Sequence, residues 1–256
     1  MTRTIDYGER GTVVVVATAE DLAQVAANLV KQTIDDARTL YPKALIALSG
    51  GSTPKRMGQI LAAEPFADSV AWQDAEFFWG DERWVPLESP ESNAGEAMRG
   101  FLDHVRVPQS QIHPFAYADS TPEASAAEME ATIASFGDHQ TPRFSLILLG
   151  MGDDGHTASL FPGTSAVRET EKLVVSNRVD KLDTTRLTFT PRLINAAHQV
   201  TFLAGGAGKA DMLHLVLDGP INVDLYPSQV VRPTNGALTW IIDEAAAVHL
   251  ERASHE

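Results

Sequence analysis

Residues 146–163, LILLGMGDDGHTASLFPG, place Gly150, Gly152 and Gly155 in the G-x-G-x-x-G spacing directly after an apolar run. That spacing suits a dinucleotide-binding turn, whose glycines let a pyrophosphate approach backbone N–H groups at a helix start. Here two features oppose it. The run lies past mid-chain, and Asp153 and Asp154 put two carboxylates where the pyrophosphate would bind. The same glycines permit a sharp turn that presents Asp154 and His156 at the edge of a cleft. Histidine titrates near neutrality and is the commonest general base, and a neighbouring carboxylate can orient it and hold its tautomer. A histidine in a turn can equally be structural; what singles out His156 is its place after a strand, next to Gly155 and two residues from Asp154.

Three further loops carry residue types suited to an anionic substrate. Ser49-Gly50-Gly51-Ser52-Thr53-Pro54 follows an apolar run and opens a helix, so its backbone N–H groups, hydroxyls and helix dipole fit a phosphate; a tight turn with an ordinary cap has the same composition. In Gly80-Asp81-Glu82-Arg83-Trp84 three charges stand at the end of an apolar strand. Arg83 suits a phosphate through charge-assisted hydrogen bonds, while Asp81 or Glu82 suits sugar hydroxyls or the orientation of a base. Gly205-Gly206-Ala207-Gly208-Lys209-Ala210 looks like a phosphate-binding P-loop but fails on spacing, and Ala210 replaces the magnesium-binding hydroxyl. What remains is Lys209 just inside a helix, either solvated or touching phosphate. No G-x-S-x-G elbow occurs, the histidines show no metal-ligand spacing, and the absence of cysteine removes thiolate-bound zinc. Neither a cofactor nor a metal is expected.

The elements that position these loops alternate along the chain. Strands are predicted at 12–17, 44–48, 75–79, 146–149, 173–176, 186–190, 200–204 and 237–242. Leu22, Val25, Ala26, Leu29 and Val30 mark one face of a helix, and another runs from Thr121-Pro122 to near Gly137. Thr53-Pro54, Thr121-Pro122 and Thr190-Pro191 read as helix starts, a hydroxyl cap followed by proline at the first helical position. Continuous apolar strands separated by helices imply an α/β fold with a doubly wound, mainly parallel, Rossmann-like sheet covered by helices on both faces. With no repeat or long linker, residues 1–256 read as one domain. Ligands of such sheets bind beyond the carboxyl ends of the strands. A formal net charge of -14 argues against nucleic acid or an anionic membrane as partner. The apolar run at Val13 to Val16 is too short for a signal segment, and none approaches the ~20 residues of a membrane span, so the cytoplasm is expected.

Taken together, SGGSTP, GDERWVP, Ser92-Asn93, GMGDDGHTASLFPG, RLTFTPRLINAA, the Gly-x-Gly-Lys-Ala turn and VVRPTNGALTWIID, spread over about residues 49 to 245, resemble the 6-phosphogluconolactonases in content and order. GDERWVP and GHTASLFP are the specific segments. The resemblance implies a fold shared with glucosamine-6-phosphate deaminase, ribose-5-phosphate isomerase and CoA transferases. It also implies hydrolysis of 6-phospho-D-glucono-1,5-lactone in the oxidative pentose phosphate pathway, without an organic cofactor. His156 would then be the general base with Asp154 as its neighbour, Asp81, Arg83 and Lys209 would belong to the site, and Arg83, Lys209 and the loop Ser49, Gly50, Gly51, Ser52, Thr53 would surround the phosphate. Tyr226-Pro-Ser-Gln and Ala94-Gly-Glu depart from the family pattern and bear on the outer cleft. The competing readings are an amino-sugar-phosphate isomerase or deaminase and a non-catalytic sugar-phosphate sensor.

Overall fold

A computed structural model describes residues 2–40, 43–137 and 141–250. Its larger sheet has seven strands: β1 (Arg3–Asp6), β2 (Thr12–Val16), β3 (Ala44–Leu48), β4 (Ala75–Trp79), β6 (Leu146–Leu149), β9 (Gln199–Ala204) and β10 (Ala237–Asp243). Their order is β1-β2-β10-β9-β6-β3-β4, parallel throughout except for the antiparallel β1 on the edge. Every residue of β3, β4 and β6 is buried, as strands covered on both faces must be. The covering helices include α1 (Ala19–Leu40), α2 (Ser52–Leu61), α4 (Asn93–Gly100), α5 (Pro122–Ala134) and α7 (Ala210–Leu217), with short turns α3 (Phe66–Ser69), α6 (Pro191–Ile194) and α8 (Glu244–Ala247) between them. Leu22, Ala26 and Val30 form the buried stripe of α1, flanked by half-buried Val25 and Leu29.

Strand order locates the crevice. From β3 the chain winds outward to β4, then returns to lay β6 on the other side of β3 and winds away through β9 to β10. The direction therefore reverses between β3 and β6, where Ile46 pairs with Leu146 and Ala47 with Ile147. The loops beyond these two strands splay apart and leave a crevice at the switch point. They are the Ser49 loop and the Gly150–His156 loop.

Four expectations need correction. The predicted strands at 173–176 and 186–190 are not in the parallel sheet. As β7 (Val174–Val179) and β8 (Thr184–Phe189) they join β5 (Asp81–Arg83) in a separate antiparallel sheet of order β5-β8-β7. Apolar alternation alone does not say which sheet a strand joins. Asp81–Arg83, expected as a loop carrying site residues after the strand, is itself a strand: β4 passes through Gly80, whose N–H donates to the Leu48 carbonyl and whose carbonyl accepts from Phe189 N–H, and continues as β5. Residues 3–6 add an edge strand too short and polar to show a period. Finally, α2 begins at Ser52 and not at Pro54; its cap is Gly51 at φ 111°, without a side-chain hydrogen bond. Thr121 and Thr190 do cap as expected, accepting from Ala124 N–H and Leu193 N–H with proline following.

No helix among the described residues is long and apolar enough to cross a membrane. At the centre of the large sheet Phe202 and Trp240, neighbours in the β9–β10 register, stack with ring centroids 3.8 Å apart and planes inclined by 4°. Phe202→Ala removes a fully buried ring and is expected to cost about 3–5 kcal/mol in urea denaturation, without moving the loops at the strand ends.

Candidate active site

The glycines of residues 150–155 serve the histidine. Gly152 N–H donates to the His156 carbonyl at 2.8 Å and Gly155 N–H to the Gly152 carbonyl at 3.1 Å, closing a tight loop. A Cβ on Gly152 would lie 2.0 Å from His156 Nδ1, so the imidazole packs where only a hydrogen fits. Gly155 has φ 77° and sits against Met212 and Tyr226. Ser228 ties the loop down from the Tyr226-Pro-Ser-Gln segment: both its N–H and its hydroxyl donate to the Gly155 carbonyl at 2.9 Å. Beyond His156, Thr157 is fully buried with its hydroxyl on the Gly150 carbonyl, and Ala158 adopts φ 47°. That left-handed backbone costs a residue with a Cβ about 1–2 kcal/mol, and strain of this kind collects at functional turns.

Asp154 and His156 form a pair. His156 Nδ1 lies 2.5 Å from Asp154 Oδ1, which also accepts His156 N–H at 3.2 Å. With Nδ1–H given to a carboxylate, Nε2 keeps its lone pair. The imidazole stacks on Phe161 at 4.1 Å, and its side chain stays 28% exposed, open enough to meet a substrate. Asp154 Oδ2 takes the Lys181 ammonium, which also lies over the Phe161 ring. Burial pushes the Asp154 carboxyl up, but the hydrogen bonds from Lys181 and His156 outweigh it and hold the group down at about 2. Lys181 was not foreseen from the sequence. It stands at the β7–β8 turn, 27 residues from Asp154, and no local spacing connects them.

The strand character of Asp81–Arg83 sorts its three charges. Side chains alternate along a strand, so Glu82 points away from Asp81 and Arg83. The residue is 4% exposed, and its carboxylate accepts from Arg83 N–H, Asn93 N–H, Ala94 N–H and the Ser92 hydroxyl, at 2.8 to 3.0 Å. Burial pushes this carboxyl above the ordinary range against those four donors. Glu82 thus anchors the start of α4 and, contrary to the sequence-based expectation, does not face a sugar or a base. Asn93, also buried, donates to the Asp81 carbonyl at 3.0 Å, and its Oδ1 occupies the space a Cβ on Gly50 would need, at 1.9 Å. The Ser92-Asn93 pair thereby joins β5 to the Ser49 loop.

On the other face, Asp81 Oδ2 accepts the Ser159 hydroxyl at 2.7 Å, Thr188 Oγ1 accepts Ser159 N–H at 3.2 Å, and Asn177 Nδ2 donates to the Ser159 carbonyl at 2.8 Å. The small sheet is therefore clamped to the segment just after His156. Arg83 lies on this same face, and one of its Nη atoms donates to the Glu91 carbonyl at 2.5 Å. Lys209, at the head of α7, reaches Asp153 at 2.5 Å. Of the residues expected in a site, Asp154 and His156 are paired directly, Asp81 is joined through Ser159 to the segment after His156, and Lys209 meets the same loop at Asp153; Arg83 shares the face of Asp81 and bonds to Glu91. The Ser49–Thr53 loop approaches through Gly50 only: Gly51 and Ser52 are exposed, and the Ser49 hydroxyl is buried without a partner. Ser49 and Gly50 also edge a cavity of about 360 Å3 between α2 and α4 that does not include His156. A second arginine, Arg186, is paired with Arg83 in the β5–β8 register and was missed; its only signal was a charge at the start of an apolar run.

An α/β enzyme with a histidine–aspartate pair and a group of cations at a switch-point crevice is the class that fold and site define. A profile described as glucosamine-6-phosphate isomerases/6-phosphogluconolactonase matches residues 17–240, and the chain belongs to this family. It is 40% identical over 208 residues to a 6-phosphogluconolactonase of Synechocystis sp., covering 80% of this chain and 84% of the relative. The solved 6-phosphogluconolactonase of Trypanosoma brucei superimposes with a TM-score of 0.81 at 29% identity, over 92% of this chain and 97% of that one. A monomeric glucosamine-6-phosphate deaminase superimposes with a TM-score of 0.78 at 24% identity, over 93% of this chain and 99% of that one, a likeness of fold alone.

The depressed Asp154 value sets a pH dependence. A carboxyl lowered from 3.8 to about 2 on folding contributes stability that is fully present above the unfolded value and is lost as pH falls through the folded one. The stability difference between the wild type and Asp154→Asn, from urea midpoints, is expected to be constant at neutral and mildly acid pH and to shrink between about pH 4 and about pH 2. A difference that stays the same at about pH 3 and at neutrality contradicts the pairing.

Proposed function

We propose that this chain hydrolyses 6-phospho-D-glucono-1,5-lactone to 6-phosphogluconate within one α/β domain, with His156 as general base. The observation that carries the mechanism is the 2.5 Å contact from His156 Nδ1 to Asp154, which leaves Nε2 free at the carboxyl end of the switch-point strands. Family membership supports the substrate, and one apolar cluster running from Ile5 to Leu250 supports the single domain.

In this reading Nε2 takes a proton from water as the water oxygen attacks lactone C1, and Asp154 stabilises the imidazolium that forms. The carbonyl electrons move onto the oxygen, where N–H groups or a cation of the crevice offset the charge. When the tetrahedral intermediate collapses, the bond from C1 to the ring oxygen breaks and the imidazolium returns its proton to that oxygen. The product is the open-chain acid. Lys181, by occupying Asp154 Oδ2, keeps the aspartate an anion through this cycle. Asp81, held by Ser159, is placed for the sugar hydroxyls, and Arg83, Lys209 and the Ser49–Thr53 loop take the phosphate and its surroundings. The same arrangement disfavours a passive sensor, which has no use for an oriented base.

The deciding experiment follows freshly made 6-phosphogluconolactone by NMR with and without protein, because the lactone also opens spontaneously. His156→Ala is expected to lower kcat by roughly 10²–10⁴-fold with little change in KM. Arg83→Ala is expected to raise KM instead, since the phosphate is bound equally in ground and transition states. No acceleration by the wild type, together with turnover of glucosamine 6-phosphate, would replace the lactonase by the deaminase reading.

A further inference from the structure

Arg186 is the least compensated cation of the described residues near the site. In β8 it lies directly opposite Arg83 of β5, in a register that also pairs Asp81 with Thr188. Cross-strand partners share a face, and like charges directly opposite destabilise a sheet. Arg186 is nonetheless half-buried, its Nε has no hydrogen-bond partner, and its guanidinium makes no ion pair among the described residues. Three carboxylates are near enough to act on it, namely Asp81, Glu91 and Glu82, but each has another engagement or none with Arg186. Asp81 Oδ2 holds Ser159, the Glu82 carboxylate is saturated by its four donors, and Glu91 meets Arg83 through its backbone carbonyl. Burial, and then repulsion from Arg83, push the Arg186 guanidinium below its ordinary range, and the three carboxylates offset this only in part.

The face carrying both arginines is the one clamped to Ser159, three residues after His156. A dianion set between two guanidinium forks would satisfy the vacant donors and turn the repulsion into attraction. We infer that Arg186 and Arg83 form a two-arginine clamp for the phosphate of the substrate, with Arg186 a binding residue in its own right. The identity of the phosphate rests on the lactonase reading; the clamp itself does not. Arg186 thereby joins Arg83 as the phosphate anchor, whereas Lys209 already has the exposed Asp153 as its counter-ion.

The clamp predicts something a structural arginine would not. In chloride, Arg186→Met, of similar length but without charge, melts at the same temperature as the wild type or higher, because it relieves a like-charge pair. On exchanging sodium chloride for sodium phosphate at equal ionic strength, the wild type gains stability and Arg186→Met does not. In kinetics Arg186→Met raises KM for the phosphorylated lactone by about 10- to 100-fold, the worth of one charge-assisted contact, and holds kcat. Turnover of unphosphorylated glucono-1,5-lactone falls far less. Arg186→Lys, which keeps the charge and loses the fork, lies between the two and serves if the methionine variant does not fold. Retention of the phosphate-dependent stabilisation in both variants overturns the clamp, as does an equal loss on both lactones or a loss confined to kcat, which would place Arg186 at the reacting carbon. If the wild type opens no lactone yet its phosphate stabilisation depends on Arg186, the function fails and the clamp stands.

Discussion

A buried carboxylate organises this site. Glu82, enclosed between β5 and the start of α4, would be costly in a low-dielectric interior without donors, and it receives four: three backbone N–H groups and the Ser92 hydroxyl. Two of the N–H groups belong to the first residues of α4, where a helix has unpaired donors and a positive dipole end. The interaction thus fixes the direction in which β5 leaves Gly80, the seat of α4 and the position of Asn93. Asn93 then bridges Asp81 to the Gly50 backbone. With Glu82 pointing inward, alternation turns Asp81 and Arg83 outward over the crevice. Chemistry on one face of the strand depends on a satisfied charge on the other.

The His156 loop follows a different logic. Backbone hydrogen bonds close it on itself, and Gly152 and Gly155 are glycine because the imidazole, Met212 and Tyr226 crowd the places their side chains would take. Rigidity comes from outside: Ser228 holds Gly155, Thr157 reaches back to Gly150, and the small sheet grips Ser159 through Asp81, Thr188 and Asn177. An imidazole supported in this way keeps its ring orientation without relying on the substrate, the preorganisation that the proposed role as general base requires.

Electrostatics reconciles an acidic chain with an anionic substrate. The net charge of -14 repels anions at long range, but solvent charges are screened within about 8–10 Å at physiological salt. In the proposed clamp a phosphate meets Arg83 and Arg186 at close range, while Lys209 pairs with Asp153 and Lys181 offsets Asp154. The cations around the crevice come from β5, β8, the turn between β7 and β8, and the head of α7. No single segment is basic.

Much was legible in the chain itself. Largely apolar runs marked β3, β4 and β6 because strands buried on both faces admit a polar residue only when it is paired, as Glu76 of β4 is with Lys43 and His113, and threonine-proline pairs marked the starts of α5 and α6 because their capping is local. His156 beside Asp154, and glycine wherever a backbone must pass close to another group, are likewise local in origin. Thr53-Pro54 misled because α2 starts two residues earlier, at Ser52 after Gly51 at positive φ, something a hydroxyl-proline pattern does not encode. The second sheet, the inward burial of Glu82, the reach of Lys181 to Asp154 and the apposition of Arg83 with Arg186 were decided only in three dimensions. These depend on strand register and on contacts between residues far apart in the chain, and on which charges find donors once water is excluded. The sequence by itself determined the residues able to do the chemistry and the strands that carry them; tertiary structure decided which face each charge takes and which other charge it must face.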